Sequence, residues 1–114
     1  MINKNLDMAL NYYSFVVQKK INEIEKLLHP DVEFISPIKA LHGKENVTPW
    51  IADYCNFAQE IEVRAKFSHD DQVMLAFDLT SVAGKSRAAV LMTFLNQSIK
   101  KIELFFDASP FLNK

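Results

Sequence analysis

Few side chains in this 114-residue sequence could take part in acid–base, nucleophilic or metal chemistry. The histidines, His29, His42 and His69, lie in three separate connections and lack the spacing of metal ligands, so we expect no metal site. Cys55 is the single cysteine and is predicted to be a buried helix residue. With only two glycines the chain offers no glycine-rich phosphate loop or dinucleotide fingerprint, and we expect no cofactor.

Ser36 draws attention because of the stretch LLHPDVEFISPIKALHG, residues 27–43, in which it lies. The pattern predicts a helix that ends at Pro30. A short strand follows, with Val32 and Phe34 on one face, and the chain turns again at Pro37. One interpretation is an ordinary helix-to-strand connection. The other is that the end of this strand forms the rim of a pocket, with Ser36 where a catalytic base could lie.

A third chemistry-bearing group is aromatic and lies on a predicted helix. Thr48 followed by Pro49 is typical of a helix cap and first position, and the residues after it are apolar at helical spacing. Trp50 and Tyr54 belong to this face. They either pack in the core or contact a ligand, and we predict both as ligand-binding residues.

Two earlier helices precede these groups. NLDMALNYYSFVVQKK predicts a long helix capped by Asn3 or Asn5, and its apolar arc is wider than a surface helix needs. NEIEKLL predicts a short second helix, capped by Asn22 and ended by Pro30. A first helix with so much apolar surface requires a sheet that curls around it.

The second half of the chain predicts four strands joined by short turns: EIEVRAKF, QVMLAFDLTSV, RAAVLMTFL and IKKIELFFD. In the first of these, Ile61, Val63, Ala65 and Phe67 are predicted to share one face, and in the second Asp78 is predicted to face outward. Helices followed by antiparallel strands predict an α+β fold. We expect a single domain over residues 1–114.

Composition limits the classes of binding partner and the location that we expect. The net charge is −1 with lysine and arginine scattered, so we expect no nucleic-acid binding. No run approaches the ~18 apolar residues of a membrane span, and we expect no membrane association. The start of the chain does not resemble a signal peptide, which predicts a cytoplasmic location. The last strands are apolar on both faces, which predicts a homodimer through the outer face of the sheet.

The order of these elements resembles the nuclear-transport-factor-2-like (NTF2-like) superfamily, which includes ketosteroid isomerases and SnoaL-like polyketide cyclases. The segments that carry the resemblance are ALNYYSFV, INEIEKLLHPDVEFISP, LHGKENVTPW and IKKIELFFD. The resemblance implies a cone in which helices and a strongly curved, mainly antiparallel sheet enclose a deep apolar pocket, often in a dimer.

On the isomerase pattern, the resemblance implies that Tyr12 is the oxyanion-stabilising tyrosine and that Ser36 replaces the catalytic aspartate. The second oxyanion donor, a protonated acid, would fall within residues 89–92, where the sequence has none. A serine cannot remove a proton next to a carbonyl without a helper base. The isomerase mechanism is therefore not predicted, and Ser36 is a ligand-binding candidate.

The SnoaL-like cyclases point to another residue. They use an acid near the end of the chain, and Asp107 resembles that position, although strand alternation places it opposite Phe106. Asp107 and Tyr12 are the catalytic candidates. The His-Gly loop borders the family's pocket, which makes His42 a further ligand-binding candidate, and Trp50 matches a pocket-lining aromatic.

Three functions follow as alternatives. The chain is a SnoaL-like enzyme, a cyclase, isomerase or hydrolase acting on an apolar substrate; a non-catalytic binding module of the same fold; or a dimeric protein-association unit. The partner expected in the first two cases is an apolar small molecule. An enzyme needs a titratable group inside the pocket, within hydrogen-bonding reach of the ligand.

Overall fold

A computed structural model describes residues 3–109 of the chain as three helices and six strands. The helices are α1 (Lys4–Gln18), α2 (Ile21–Leu27) and α3 (Lys44–Phe57). The strands are β1 (Leu28–Ile35), β2 (Ala40–His42), β3 (Ala58–His69), β4 (Gln72–Ser81), β5 (Gly84–Leu95) and β6 (Ser98–Phe106).

The strands form one curved sheet in the order β2-β1-β6-β5-β4-β3. Neighbours run antiparallel except β1 and β6, which pair in parallel, with Phe34 opposite Ile102. The helices lie on the inner face, and the core contains side chains from all three helices and from β1, β4, β5 and β6. The α+β fold and the mainly antiparallel sheet are confirmed. Within residues 3–109, no helix is long and apolar enough to cross a membrane.

Helix α1 begins as predicted, with Asn3 as its cap: the Asn3 side-chain oxygen accepts a hydrogen bond from the Leu6 N–H at 3.0 Å. Tyr12 and Tyr13 are buried on its inner side. The helix ends at Lys19, which adopts a left-handed conformation with φ +59°. The Lys19 ammonium donates to the Cys55 carbonyl at 2.6 Å and so satisfies an open carbonyl in the last turn of α3.

The predicted ends of α2 and α3 are wrong. Asn22 lies inside α2, whose cap position is Lys20, and the helix ends at Leu27, before Pro30 is reached. Helix α3 begins at Lys44, so Pro49 lies within it rather than at its first position. Pro49 removes one N–H from the early part of the helix, and the downstream burial of Ile51 and Cys55 holds the helix together.

Strand β3 contains an irregularity that separates the four residues predicted to share one face. The pairing with β4 shifts between Val63 and Ala65. Ile61 and Val63 pack against the core, whereas Phe67 is 65% exposed, so the prediction of one shared face is wrong. A β-bulge inserts one extra residue, and every side chain beyond it changes face.

The outer face of the sheet carries an apolar band that the pairing register defines. Asp78 lies beside this band and faces outward, as predicted, where its carboxylate pairs with Arg64 at 3.4 Å and Arg87 at 3.8 Å. The band, called the outer band below, consists of Ala65, Phe67, Met74, Ala76, Ala89, Leu91 and Phe105.

Candidate functional site

An open cavity of about 410 Å³ lies between α3 and one end of the curved sheet. Its volume is in the range of small-molecule sites. The walls are mostly apolar and come from the end of β1, the β4–β5 hairpin, the end of β6 and one face of α3. The apolar lining residues are Phe34, Ile38, Trp50, Tyr54, Phe57, Leu79, Ala83, Ala88, Leu104 and Phe106.

Helix α3 supplies a stripe of four residues to the cavity at helical spacing: Trp50, Asp53, Tyr54 and Phe57. The placement of Trp50 and Tyr54 agrees with the sequence prediction. Trp50 also packs against Phe34, with 6.0 Å between ring centroids. Asp53 was missed, although its position between Trp50 and Tyr54 at helical spacing was a usable signal.

The Tyr54 hydroxyl is buried and has no hydrogen-bond partner within the described part of the chain. Burial raises the pKa of Tyr54, and the nearby Cys55 thiol adds to the effect. The phenol is therefore neutral. Its oxygen has almost no accessible surface and lies near the buried phenols of Tyr12 and Tyr13, so the ring of Tyr54 rather than its hydroxyl lines the cavity.

Tyr12 is fully buried but is absent from the cavity lining. Its ring lies edge-on to that of Tyr13, with centroids 4.9 Å apart, and Tyr13 in turn contacts Phe77. Desolvation raises the pKa of Tyr12, and the neighbouring Tyr54 phenol raises it further. The tyrosine to which the resemblance assigned oxyanion stabilisation is thus part of the aromatic core.

Ser36 lines the cavity, yet its hydroxyl is engaged in the turn after β1. It donates to the Lys39 carbonyl at 3.3 Å and accepts from the N–H groups of Ile38 and Lys39 at 3.3 and 3.2 Å. These bonds form a local turn motif typical of serine. The Ser36 proton is thus directed at its own backbone, which a prediction from sequence alignment could not reveal.

Asp107 lies just beyond β6 and lines the mouth of the cavity. Because the strand has ended, its alternation no longer fixes the direction of this side chain. The carboxylate accepts hydrogen bonds from the Ser109 hydroxyl and from the Ser109 N–H, which hold the pKa of Asp107 below its usual range. Asp107 is exposed and ionised at neutral pH.

His42, the remaining candidate, lies at the end of the short strand β2 and is exposed. It is not among the residues that line the cavity. The structure therefore brings together Ser36, Trp50, Tyr54 and Asp107 of the predicted site residues and separates Tyr12 and His42 from them.

Comparison with solved structures identifies the fold. A protein of unknown function from Cytophaga hutchinsonii, described as NTF2-like, superposes with a TM-score of 0.82 at 18% identity, over 99% of this chain and 97% of its own. A de novo designed protein with a curved β-sheet superposes with a TM-score of 0.86 at 23% identity, over 98% and 92%. This chain has the NTF2-like fold.

TerC, a third neighbour, was co-crystallised with polyporic acid. It superposes with a TM-score of 0.76 at 19% identity, over 96% of this chain and 95% of its own. No protein-family model matches the sequence, and no curated protein matches it. The likeness at these identities is one of fold.

Proposed function

We propose that this chain binds an apolar small molecule in the cavity beside α3. The observation that carries the proposal is an open, largely apolar cavity of about 410 Å³ that is lined by Trp50 and Tyr54. Burial of apolar ligand surface supplies affinity, and the aromatic rings of the lining favour a flat ligand. The TerC crystals with polyporic acid support the idea that an NTF2-like fold accommodates an organic ligand.

Catalysis is the second candidate, and it depends on Asp107. A carboxylate with a lowered pKa is a weak base, so it would abstract a proton only from an acidic carbon, such as one between two carbonyl groups. The other carboxylate on the cavity wall is Asp53, which is also exposed. This balance favours binding over a demanding proton abstraction.

A homodimer through the outer band completes the proposal. Three members of the band, Phe67, Met74 and Phe105, are 65%, 36% and 49% exposed. A continuous apolar stripe is complementary to itself under a two-fold rotation, and polar flanks such as the Arg64–Asp78–Arg87 cluster fit the rim of an interface. The occupant that we propose for this face is a second copy of the chain.

Ligand binding is tested with a neutral, flat probe, 9-anthracenemethanol. Trp50 is the single tryptophan and lines the cavity, so quenching of its fluorescence by the anthracene ring reports occupation directly. We expect Ala88→Leu, which narrows the cavity, to weaken quenching, and Ala89→Leu, the same change on the opposite face of β5, to leave it unchanged. Quenching that is equal in both variants would contradict binding in this cavity.

A further inference from the structure

The charges around the cavity are unevenly arranged. Among the described residues, the charged residues on its lining are Asp53, Lys85 and Asp107. All three are exposed and therefore lie near the mouth rather than in the apolar interior. Two carboxylates and one ammonium group surround the opening, and their directions decide which ligand charge is favoured.

The strand register places the side chain of Lys85 on the outer face of the sheet, away from the cavity. In the β4–β5 hairpin, Ser86 pairs with Leu79, which faces the cavity, while Lys85 pairs with Thr80. Side chains alternate along a strand, so Lys85 departs toward the outer face and contributes mainly its backbone to the cavity edge. Asp53, by contrast, lies on the same helical stripe as Trp50 and Tyr54.

The walls reinforce the effect of the carboxylates. Trp50 and Tyr54 present aromatic rings to the cavity, and the face of an aromatic ring attracts a cation. The Ser109 hydrogen bonds keep Asp107 ionised through neutral and mildly acidic pH.

From this geometry we infer that the cavity selects flat apolar molecules that carry a positive charge. The cationic group lies at the mouth beside Asp53 and Asp107, and the rings lie against Trp50 and Tyr54. The inference rests on the proposed function, because it names the chemical class of the ligand that the same cavity binds.

Three probes of nearly the same shape test the charge: 9-(aminomethyl)anthracene, 9-anthracenemethanol and 9-anthracenecarboxylate. At low ionic strength we expect the amine to bind about three- to tenfold more tightly than the alcohol, a factor that fits exposed ion pairs and cation–π contacts. The carboxylate should bind most weakly. Added salt should reduce the preference for the amine and leave the alcohol unchanged.

Isosteric variants assign the preference to residues. Asp53→Asn and Asp107→Asn should each weaken binding of the amine and leave binding of the alcohol unchanged. The double variant should bind the amine and the alcohol equally. Asp71→Asn is the matched control: it changes the net charge by the same amount in the β3–β4 turn, at the far end of β4 from the cavity. Circular dichroism confirms that each variant is folded.

The outcomes separate the inference from the proposed function. Equal binding of amine and alcohol, or tightest binding of the carboxylate, would overturn charge selection while leaving the cavity a ligand site. A preference for the amine that Asp71→Asn reduces as much as Asp53→Asn would also overturn it, because net charge alone would explain the effect. If none of the probes binds, both the inference and the proposed function are wrong.

Discussion

Tyr54 combines a buried hydroxyl that lacks a partner with a position on an open cavity. A buried polar group without a hydrogen bond costs roughly 1–3 kcal/mol of folding free energy, and folded proteins satisfy nearly all such groups. The buried hydroxyl therefore lowers the stability of the fold, while the ring of the same residue forms part of the cavity wall.

Removal of this hydroxyl should change stability without changing binding. We expect Tyr54→Phe to raise the free energy of unfolding by about 1 kcal/mol and to leave ligand affinity unchanged, because the ring on the cavity wall is kept. Thr48→Val is the control, since the Thr48 hydroxyl is also buried and without a partner among the described residues but lies off the cavity wall. It should have the same two effects. Chemical denaturation and calorimetric titration measure them, and a loss of affinity in Tyr54→Phe alone would show that the ligand reaches the hydroxyl.

At the residue scale, the sequence predicted Trp50, Tyr54, Ser36 and Asp107, all of which lie on the cavity lining, but not Asp53. Trp50 and Tyr54 follow from helical spacing, which is a geometric property of the chain. Asp53 was missed because an aspartate on a helix is ordinarily solvated. For Ser36, the direction of the hydroxyl depends on a turn that the sequence does not specify.

Among the elements, the ends of α1 and α3 are joined through one side chain. Lys19, beyond the end of α1, donates to the Cys55 carbonyl in the last turn of α3. A cation at a helix C-terminus is favourable both as a hydrogen-bond donor and through the helix dipole. The contact holds α3, which carries the cavity stripe, against the end of α1.

Lys19→Met should therefore lower the free energy of unfolding by about 1 kcal/mol, because it keeps the aliphatic stem and removes the ammonium group. Lys20→Met, a neighbouring exposed lysine, should have an effect below ~0.5 kcal/mol. Denaturant midpoints measure both. Equal midpoints for the two variants would show that the Lys19–Cys55 contact does not stabilise the fold.

The elements themselves were largely predictable, and their irregularities were not. Alternation and helical spacing located the three helices and every strand except the three-residue β2. The bulge in β3 placed Phe67 outside, because a single inserted residue leaves no mark on an alternating pattern. Pro49 was read as a helix start because local propensity could not show that α3 begins at Lys44.

For the molecule as a whole, the three tyrosines make the stability of the fold depend on pH in the alkaline range. They are all the tyrosines of the chain, and burial raises the pKa of each above the ordinary value of 10.0. The unfolded chain loses its phenolic protons near that pH, whereas the folded chain keeps them. Because the folded state then binds more protons, the free energy of unfolding falls as the pH rises above about 10.

A spectroscopic titration tests this directly. Tyrosinate absorbance in the near ultraviolet should stay low above pH 10 and rise only together with loss of the circular dichroism signal. In a denaturant the same absorbance should titrate near the ordinary pKa. A tyrosine that titrates near pH 10 while the fold is intact would contradict the burial of that phenol.

The proposed dimer is also a property of the whole molecule. We expect a sedimentation mass of twice the 13.1 kDa chain at micromolar concentration. Leu91→Lys places a charge in the outer band and should shift the protein toward monomer. Val82→Lys adds the same charge at an exposed apolar residue in the β4–β5 turn and should remain dimeric. A wild-type monomer would contradict this interface.

The parallel pairing of β1 with β6 has a consequence for the order of events during synthesis. Phe34 lines the cavity and pairs with Ile102 in β6, so this part of the cavity wall forms only after β6 has left the ribosome. Contacts between residues this distant in sequence require the closure of a long loop, and they therefore make folding slower. A partly made chain can form the β3–β4–β5 meander but encloses no cavity. A ligand of the proposed kind would therefore bind only after β6 has been synthesised, and it would not assist the earlier steps of folding.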